Sequence, residues 1–420
     1  YMYNGSSNVY PLYGIELNRS NFQPIGTRKE LLLLDDERIG WHRFGEHMDN
    51  TFLKPFMEGA WMTKHNGKYY LQWGGPGTEF SHYGDGVAVS DSPLGYFEHV
   101  SLPLSMKAGG FIRGAGHGAT FQDNWKNYWH TSTMVINVKN NFERRIGIWP
   151  AGFDKDDVMY CNTAFGDYPH YLPNGEADHL QSLFTGWMLL NYNKPVQVSS
   201  TLGAFYANNI VDENVKTYWS AQTANKGEWL ISDLGQISTV HAIQINYADQ
   251  DVELMGKQTG TYHQYIVYYS LDGKKWSVLI DKSKNQKDVP HDYVELAKPV
   301  EARYLKLENI HMPTGKFAIS GFRAFGLGKG DKPKAVEDFI VLRSDITDKR
   351  NGWLKWKPVD GAYAYNIYIG QEPDKLYNCV MVYNVNEYYY PGMDKTKPYY
   401  FAIEAINENG TSEWARAQAL

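Results

Sequence analysis

The stretch Lys54–Trp73, "KPFMEGAWMTKHNGKYYLQW", decides the fold class. At its centre stands Asn66-Gly67, the pair that two-residue hairpin loops favour because both central positions need positive φ. Tyr69, Leu71 and Trp73 then fall on one strand face, and Tyr70 and Gln72 on the other. The segment is therefore a hairpin. One carboxylate, Glu58, sits at the mouth of its first strand among Phe56, Met57 and Trp61. Such a residue is ordinarily a solvated strand end. The alternative is a group held there to move a proton.

Outward from this hairpin the pattern repeats. "GDGVAVSDSPLGYF" supplies a further strand, and "GHGATFQDNWKNYWHTSTMVI" gives two strands about a polar turn at Asp123-Asn124. Four-strand sheets recurring every ~40–50 residues are the signature of propeller blades, so residues 1–175 are expected to hold about three to four of them. A connector over 176–195 contains "ADHLQSLFTGWMLL", read as a short helix or a buried loop. Residues 196–328 form a second β unit with strands such as "EWLISDL", "VHAIQINYA", "QYIVYYS" and "ARYLKLENI". The polar "GLGKGDKPKAVED" marks the next boundary. Residues 329–420 alternate as a small β-sandwich does, in "GWLKWKPV", "AYAYNIYIG" and "PYYFAIEAI".

Composition agrees with this reading. The chain has 420 residues, too many for one ordinary core. Its 39 glycines and 15% aromatic content suit a β protein rich in turns. A net charge of −6 argues against nucleic acid or an anionic membrane as the main partner. The two cysteines, Cys161 and Cys379, are far apart and support no disulfide framework. No apolar run approaches the ~20 residues that span a membrane. No secretory leader pattern opens the sequence as given, and "YMYNGSSNVYPLYGIEL" reads as strand from its first residue, so sequence upstream of Tyr1 is expected.

Three stretches carry a resemblance to a known family. "FMEGAWMTKHNGKYYL", "GAGHGATFQDNWKNYWH" and "ERRIGIWPAGFDKDDVMYCNTAFGDYPHYLP" resemble the C-terminal part of a glycoside hydrolase family 43 five-bladed propeller. The second unit, through "ANNIVDENVKTYWSA", "EWLISDLG", "YYSLDGKKW" and "ARYLKLENIHMPTGKFAISGFRAFG", resembles a discoidin, or coagulation-factor type C, domain of the kind used as family 32 carbohydrate-binding modules. The last unit resembles a fibronectin type III domain. The fold class expected is thus all-β: a partial five-bladed β-propeller, a discoidin-like β-sandwich of jelly-roll type and a fibronectin type III-like β-sandwich.

The resemblance implies roles for particular residues. Glu58 matches the general acid. The family's base Asp and its second, orienting Asp belong to segments that would precede Tyr1, so the chain as given is expected to be catalytically incomplete. His117, flanked by glycines, is expected to face the central cavity, where it contacts substrate or holds a propeller ion through water. Arg144 and Arg145 lie where the family places a substrate-binding Arg, and Arg145 is favoured because Ile146 and Ile148 are expected to pack on the opposite face. Trp41, Trp61 and Trp73 are candidate sugar-stacking platforms, against the alternative that they fill a core. Asp49, Asp85, Asp123 and Asp167 are possible substitute bases, each in a turn context where Asp is common for local hydrogen bonding. In the discoidin-like unit Asp212, Asn214 and Thr217 place oxygen donors in one loop, suited to a structural calcium or closed by hydrogen bonds alone. "SLDGKKW" reads as a structural hairpin, Trp356 as core, and Tyr399 or Tyr400 as a tyrosine corner.

The function implied is a bacterial glycosidase, secreted, periplasmic or on the cell surface. It would attack plant polysaccharide or oligosaccharide by inversion, as an α-L-arabinofuranosidase or β-xylosidase, with the discoidin-like unit positioning glycan. A non-catalytic glycan-binding protein and a surface adhesin are the alternatives.

Overall fold

The computed structural model describes residues 1–136, 142–180, 183–253, 260–344 and 346–419. The chain is all-β, its described helical content confined to the short 3₁₀ turns Gly40–His42 and Ala207–Ile210. "ADHLQSLFTGWMLL" forms no helix over its described residues.

The first unit is a set of antiparallel meanders. β1 (Met2–Asn4), β2 (Leu12–Leu17) and β3 (Pro24–Leu32) make the first sheet. β4 (Glu58–His65), β5 (Lys68–Gly75) and β6 (Gly84–Ser90) follow, with β7 (Glu98–His99) and β8 (Ser105–Met106) both pairing with β6. β9 (Arg113–Gln122), β10 (Tyr128–Val135), β11 (Arg144–Phe153) and β12 (Met159–Cys161) complete the third sheet. Each meander runs in chain order from one edge, and the first strands pack together, β1 on β4 and β4 on β9. The Asn66-Gly67 turn joins β4 to β5 with both residues at positive φ, as the hairpin requires.

Apolar side chains fill the space between these sheets. Tyr70, Val87 and Leu104 meet Ala115, Trp149 and Ala151 between the second and third. Trp41 and Trp73 stack with ring centroids 5.0 Å apart within the other cluster, beside Leu12, Leu71 and Ala88. Both indoles are fully buried, so they are core and not sugar platforms.

The second unit is one eight-stranded sheet. β13 (Met188–Leu189) pairs with β20 (Ala318–Leu327), so the stretch read as a connector contributes a strand. β14 (Val196–Val198) pairs with β16 (Trp229–Tyr247), and β15 (Trp219–Ser220) with β20. β17 (Gln264–Ser270), β18 (Ser277–Asp281) and β19 (His291–His311) finish it. β16 and β19 run long and change register between Asp233 and Ser238 and again between Val240 and Ala242. Such irregularities bend strands, and residues from both halves of β16, Leu230 and Ile243 among them, share one core. Each fully buried aliphatic side chain there contributes about 1.5–3 kcal/mol. "SLDGKKW" is the hairpin between β17 and β18, closed by the Ser270 hydroxyl and the Asp272 carboxylate accepting backbone N–H groups.

The last unit packs two sheets. One holds Ile340–Arg343, Gly352–Lys355 and Glu387–Tyr390; the other is centred on Ala364–Gly370 and Tyr400–Asn407. Trp356 lies in the core between them. Buried Tyr399 accepts the Asp394 N–H on its hydroxyl at 2.7 Å, the tyrosine-corner contact expected from sequence.

A buried ionic knot ties the units together. Asp167 accepts from Lys107 at 2.9 Å and from the N–H groups of Phe111 and Ile112. Arg323 of β20 pairs with both oxygens of Glu213 at 2.9 and 2.8 Å and donates to the Asp167 carbonyl at 2.7 Å. Tyr383 of the last unit donates to Glu213 and shares a hydrogen bond with Tyr168.

Candidate active site

Two facing bulges build the site. In β4 the pairing jumps from Glu58↔Gly74 to Trp61↔Gln72, so one extra residue is accommodated. The bulge carries Gly59 at φ +67°, where a Cβ would lie 2.8 Å from the His117 ring. Because Gly74 and Gln72 are two apart, the insertion places Glu58 and Trp61 on the same face of the sheet. That face meets β9. There the register breaks around His117, which takes φ +60°, a left-handed conformation uncommon for a non-glycine residue.

Asp85 holds this strained backbone. Its Oδ1 accepts the N–H of Gly118, next to His117, at 3.0 Å. Its Oδ2 is bound by the Ser132 hydroxyl at 2.5 Å and by His130 Nε2 at 2.8 Å. Asp85 is only 1% exposed, so it is an anchor and not a substitute base. Asp123 closes its own turn by accepting the N–H groups of Trp125 and Asn127, and Asp167 belongs to the ionic knot. Asp49 packs against Gly45 in a turn distinct from these groups.

Glu58 Oε1 stands 3.4 Å from His117 Nδ1 and accepts the Tyr83 hydroxyl at 2.9 Å. The His117 contact is the main reason that the Glu58 carboxyl lies below its ordinary pKa; burial opposes it, and Tyr83 and the Arg144 charge assist. The same contact raises the pKa of His117. Burial beside Glu58 and Asp85 keeps Tyr83 protonated, hence a donor. The pair is a carboxylate facing an imidazole that readily becomes imidazolium. Trp61 is 42% exposed and is fixed by its indole N–H donating to the Thr120 carbonyl at 2.8 Å, which leaves ring surface open on the Glu58 face.

The arginine expectation is corrected. Arg145 points to the surface, paired with Glu143 at 3.2 Å. Arg144 instead donates to Thr78 at 2.8 Å and Thr133 at 3.2 Å, and its charge reaches Glu58, His117 and Tyr83. The premise fails because Ile146 and Ile148 are 77% and 49% exposed and define no packed face. Tyr83, Asp85 and Arg144 thus join the site. No spacing in the sequence marks Tyr83, whose place follows from the loop between β5 and β6 laying its ring on Gly116.

In the second unit Asp212 Oδ1 accepts the Asn214 N–H at 3.0 Å and Oδ2 the Thr217 hydroxyl at 2.5 Å. Asn214 Oδ1 accepts the Lys216 N–H at 3.1 Å. The three side chains therefore converge as an all-oxygen set with one carboxylate, and burial raises that carboxyl's pKa, so a cation beside it would be favourable. Among the described residues no three His, Cys, Asp or Glu gather as a metal-holding group. No described helix is long and apolar enough to cross a membrane. Part of the long loop after Tyr247 falls on 254–259, outside the described residues.

Residues 195–320 match the family model of the F5/8 type C domain, so the second unit is a domain of that type. No curated protein matches the chain. Among solved structures it is similar to one described as "Glycoside hydrolase", with 19% identity and a TM-score of 0.37 over 74% of this chain and 65% of that one. This chain therefore spans under two thirds of that protein. It is also similar to CpGH89CBM32-6 produced by Clostridium perfringens, with 19% identity, TM-score 0.26 and coverage of 32% and 94%. A third is chitosan-binding module 1 derived from chitosanase/glucanase from Paenibacillus sp. IK-5, with 20% identity, TM-score 0.27 and coverage of 33% and 98%.

Proposed function

We propose that this chain belongs to a glycoside hydrolase that releases sugars from the side chains or ends of plant polysaccharide by inversion, as an α-L-arabinofuranosidase or β-xylosidase. Glu58 donates the proton to the leaving oxygen. The base aspartate comes from polypeptide outside this sequence. The observation that carries this reading is the aim of Glu58: a bulge turns it toward the packed first strands, between Tyr83 and His117 and beside an open Trp61 face.

In this reading the three meanders over residues 1–175 are blades of a five-bladed propeller, whose remaining blades the upstream polypeptide supplies. The exposed Ile146 and Ile148 on the third sheet are apolar surface such a blade would cover. The upstream carboxylates also arm the acid. Alone, Glu58 is held ionised by His117; an opposing carboxylate ~6.5–9.5 Å away would raise its pKa by like-charge repulsion and let it keep a proton. The F5/8 type C domain binds or positions glycan, and residues 329–420 act as a fibronectin type III-like spacer. Asp212, Asn214 and Thr217 would hold a structural calcium, and a propeller ion near His117 would be held through water. The protein works outside the bacterial cytoplasm, in the periplasm, at the surface or secreted.

A second reading is a glycan-binding protein or adhesin without catalysis. It is favoured by Asp85, the other carboxylate whose charge reaches His117, being buried and fully engaged. The test uses the chain joined to its upstream polypeptide. Glu58→Gln should slow turnover of glycosides with poor leaving groups by orders of magnitude while the fold is retained. Unchanged activity rejects the acid role, and glycan binding without any hydrolysis by the parent protein supports the second reading.

A further inference from the structure

The F5/8 type C domain reaches the wall of the candidate site. Asn214, Val215 and Lys216 close, with the Thr78–Ser81 turn and Arg113, a recess of about 60 Å³. Val215 anchors the contact, packed with Phe111, Ile112 and Ile136 of the first unit. Glu213, one residue before Asn214, is locked by Arg323, so the loop is held against that wall. The same wall leads to Glu58. Thr78 accepts from Arg144, and the turn continues to Tyr83, which donates to Glu58. Arg113 opens β9 and precedes His117 on it, ~13 Å away at ~3.3 Å per residue.

We propose that this recess is a subsite for the carboxylate of an acidic sugar residue, a uronate, lying along the glycan beyond the sugar that is cleaved. Its extension to the same glycan rests on the glycosidase reading; the uronate site itself does not.

Size and charge both select this ligand. The recess has room for about two waters, so a carboxylate enters and a sugar ring stays outside. Lys216 and Arg113 line it, with Arg144 bonded to its Thr78, against the single lining carboxylate of Glu79. Glu46 accepts the Ser81 N–H but is not part of the lining. In a chain of net charge −6 this is a local excess of positive charge. Burial lowers the pKa of Lys216, and an incoming anion would offset that. Thr78, Ser81 and Asn214 add hydrogen-bonding groups around the charge.

The test titrates the full chain with a xylo-oligosaccharide bearing glucuronic acid and with its carboxyl-reduced counterpart, by calorimetry. The acidic ligand should bind about tenfold or more tightly, a difference that falls with salt. Lys216→Ala and Arg113→Ala should each erase most of the difference, and Lys216→Arg should keep it. Equal affinity for the two ligands, binding of neither, or a preference untouched by Lys216→Ala overturns the proposal. A preference that survives in a protein unable to hydrolyse glycosides leaves this site standing and removes the glycosidase reading.

Discussion

Replacing Arg323 with Met should destabilise the protein by about 3–5 kcal/mol, because it strands a buried carboxylate. Arg323 is fully buried, with its guanidinium 4.7 Å from the Phe111 ring centroid and 4.8 Å from that of Phe325. Without it, Glu213 keeps only the Tyr383 hydroxyl at 3.1 Å, and the Asp167 carbonyl and the Gln244 amide oxygen lose donors at 2.7 and 2.8 Å. Set against a total stability of ~5–15 kcal/mol, this loss is large. Urea unfolding at pH 7 measures it as a lower midpoint with an unchanged slope.

The pH dependence gives an internal check. Burial already pushes the Glu213 carboxyl up, and Arg323 is the main counterweight. In Arg323→Met the folded pKa rises well above the unfolded value of ~4.3. Stability from a group so shifted is present below the unfolded pKa and lost as pH rises through the folded one, so the defect should shrink on acidification. Removing both charges, in Glu213→Gln with Arg323→Met, should recover most of the loss. A single variant that loses under ~1 kcal/mol, or a double variant as unstable as the single, refutes the reasoning.

Four further outcomes are expected. Gly59→Ala should cost ~1–2 kcal/mol from the left-handed backbone alone, and its Cβ, 2.8 Å from the His117 ring, should shift the His117 NMR signals; an unmoved imidazole would contradict the packing described. Tyr83→Phe removes a donor to the Glu58 carboxylate, so the Glu58 pKa, followed by carboxyl NMR, should rise. His82 and His291 are held down to about 4 and His263 to about 3 by burial. Groups so depressed stabilise the fold above the unfolded pKa of ~6.5 and lose that contribution as pH falls toward the folded values, so thermal stability should drop steeply between these limits. Tyr399→Phe leaves the buried Asp394 N–H without its partner and should cost ~1–3 kcal/mol in chemical unfolding.

Local chemistry explains what was legible in advance. The Asn66-Gly67 turn needs only its own backbone preference, and it sits where expected. The Tyr399 corner and the Ser270–Trp276 hairpin are likewise short-range devices. Predictions failed where a side chain's direction depends on distant strands. Alternation along β11 could not say which arginine faces Glu58, because it assumed that Ile146 and Ile148 were packed. Trp41, Trp61 and Trp73 are equivalent as sequence, yet two are stacked in the core and one is held at the surface by Thr120.

The sequence by itself determined an all-β chain with a hairpin at Asn66-Gly67, a carboxylate at the start of its first strand and a histidine among glycines. Those features are set by residue type and periodicity, which act over a few residues. Only the tertiary structure decided that Glu58 meets His117, that Tyr83 and Asp85 fix them, and that the loop at Asn214 joins the same wall. Each of those contacts crosses between sheets or units, where bulges and packed side chains, rather than local propensity, set the geometry.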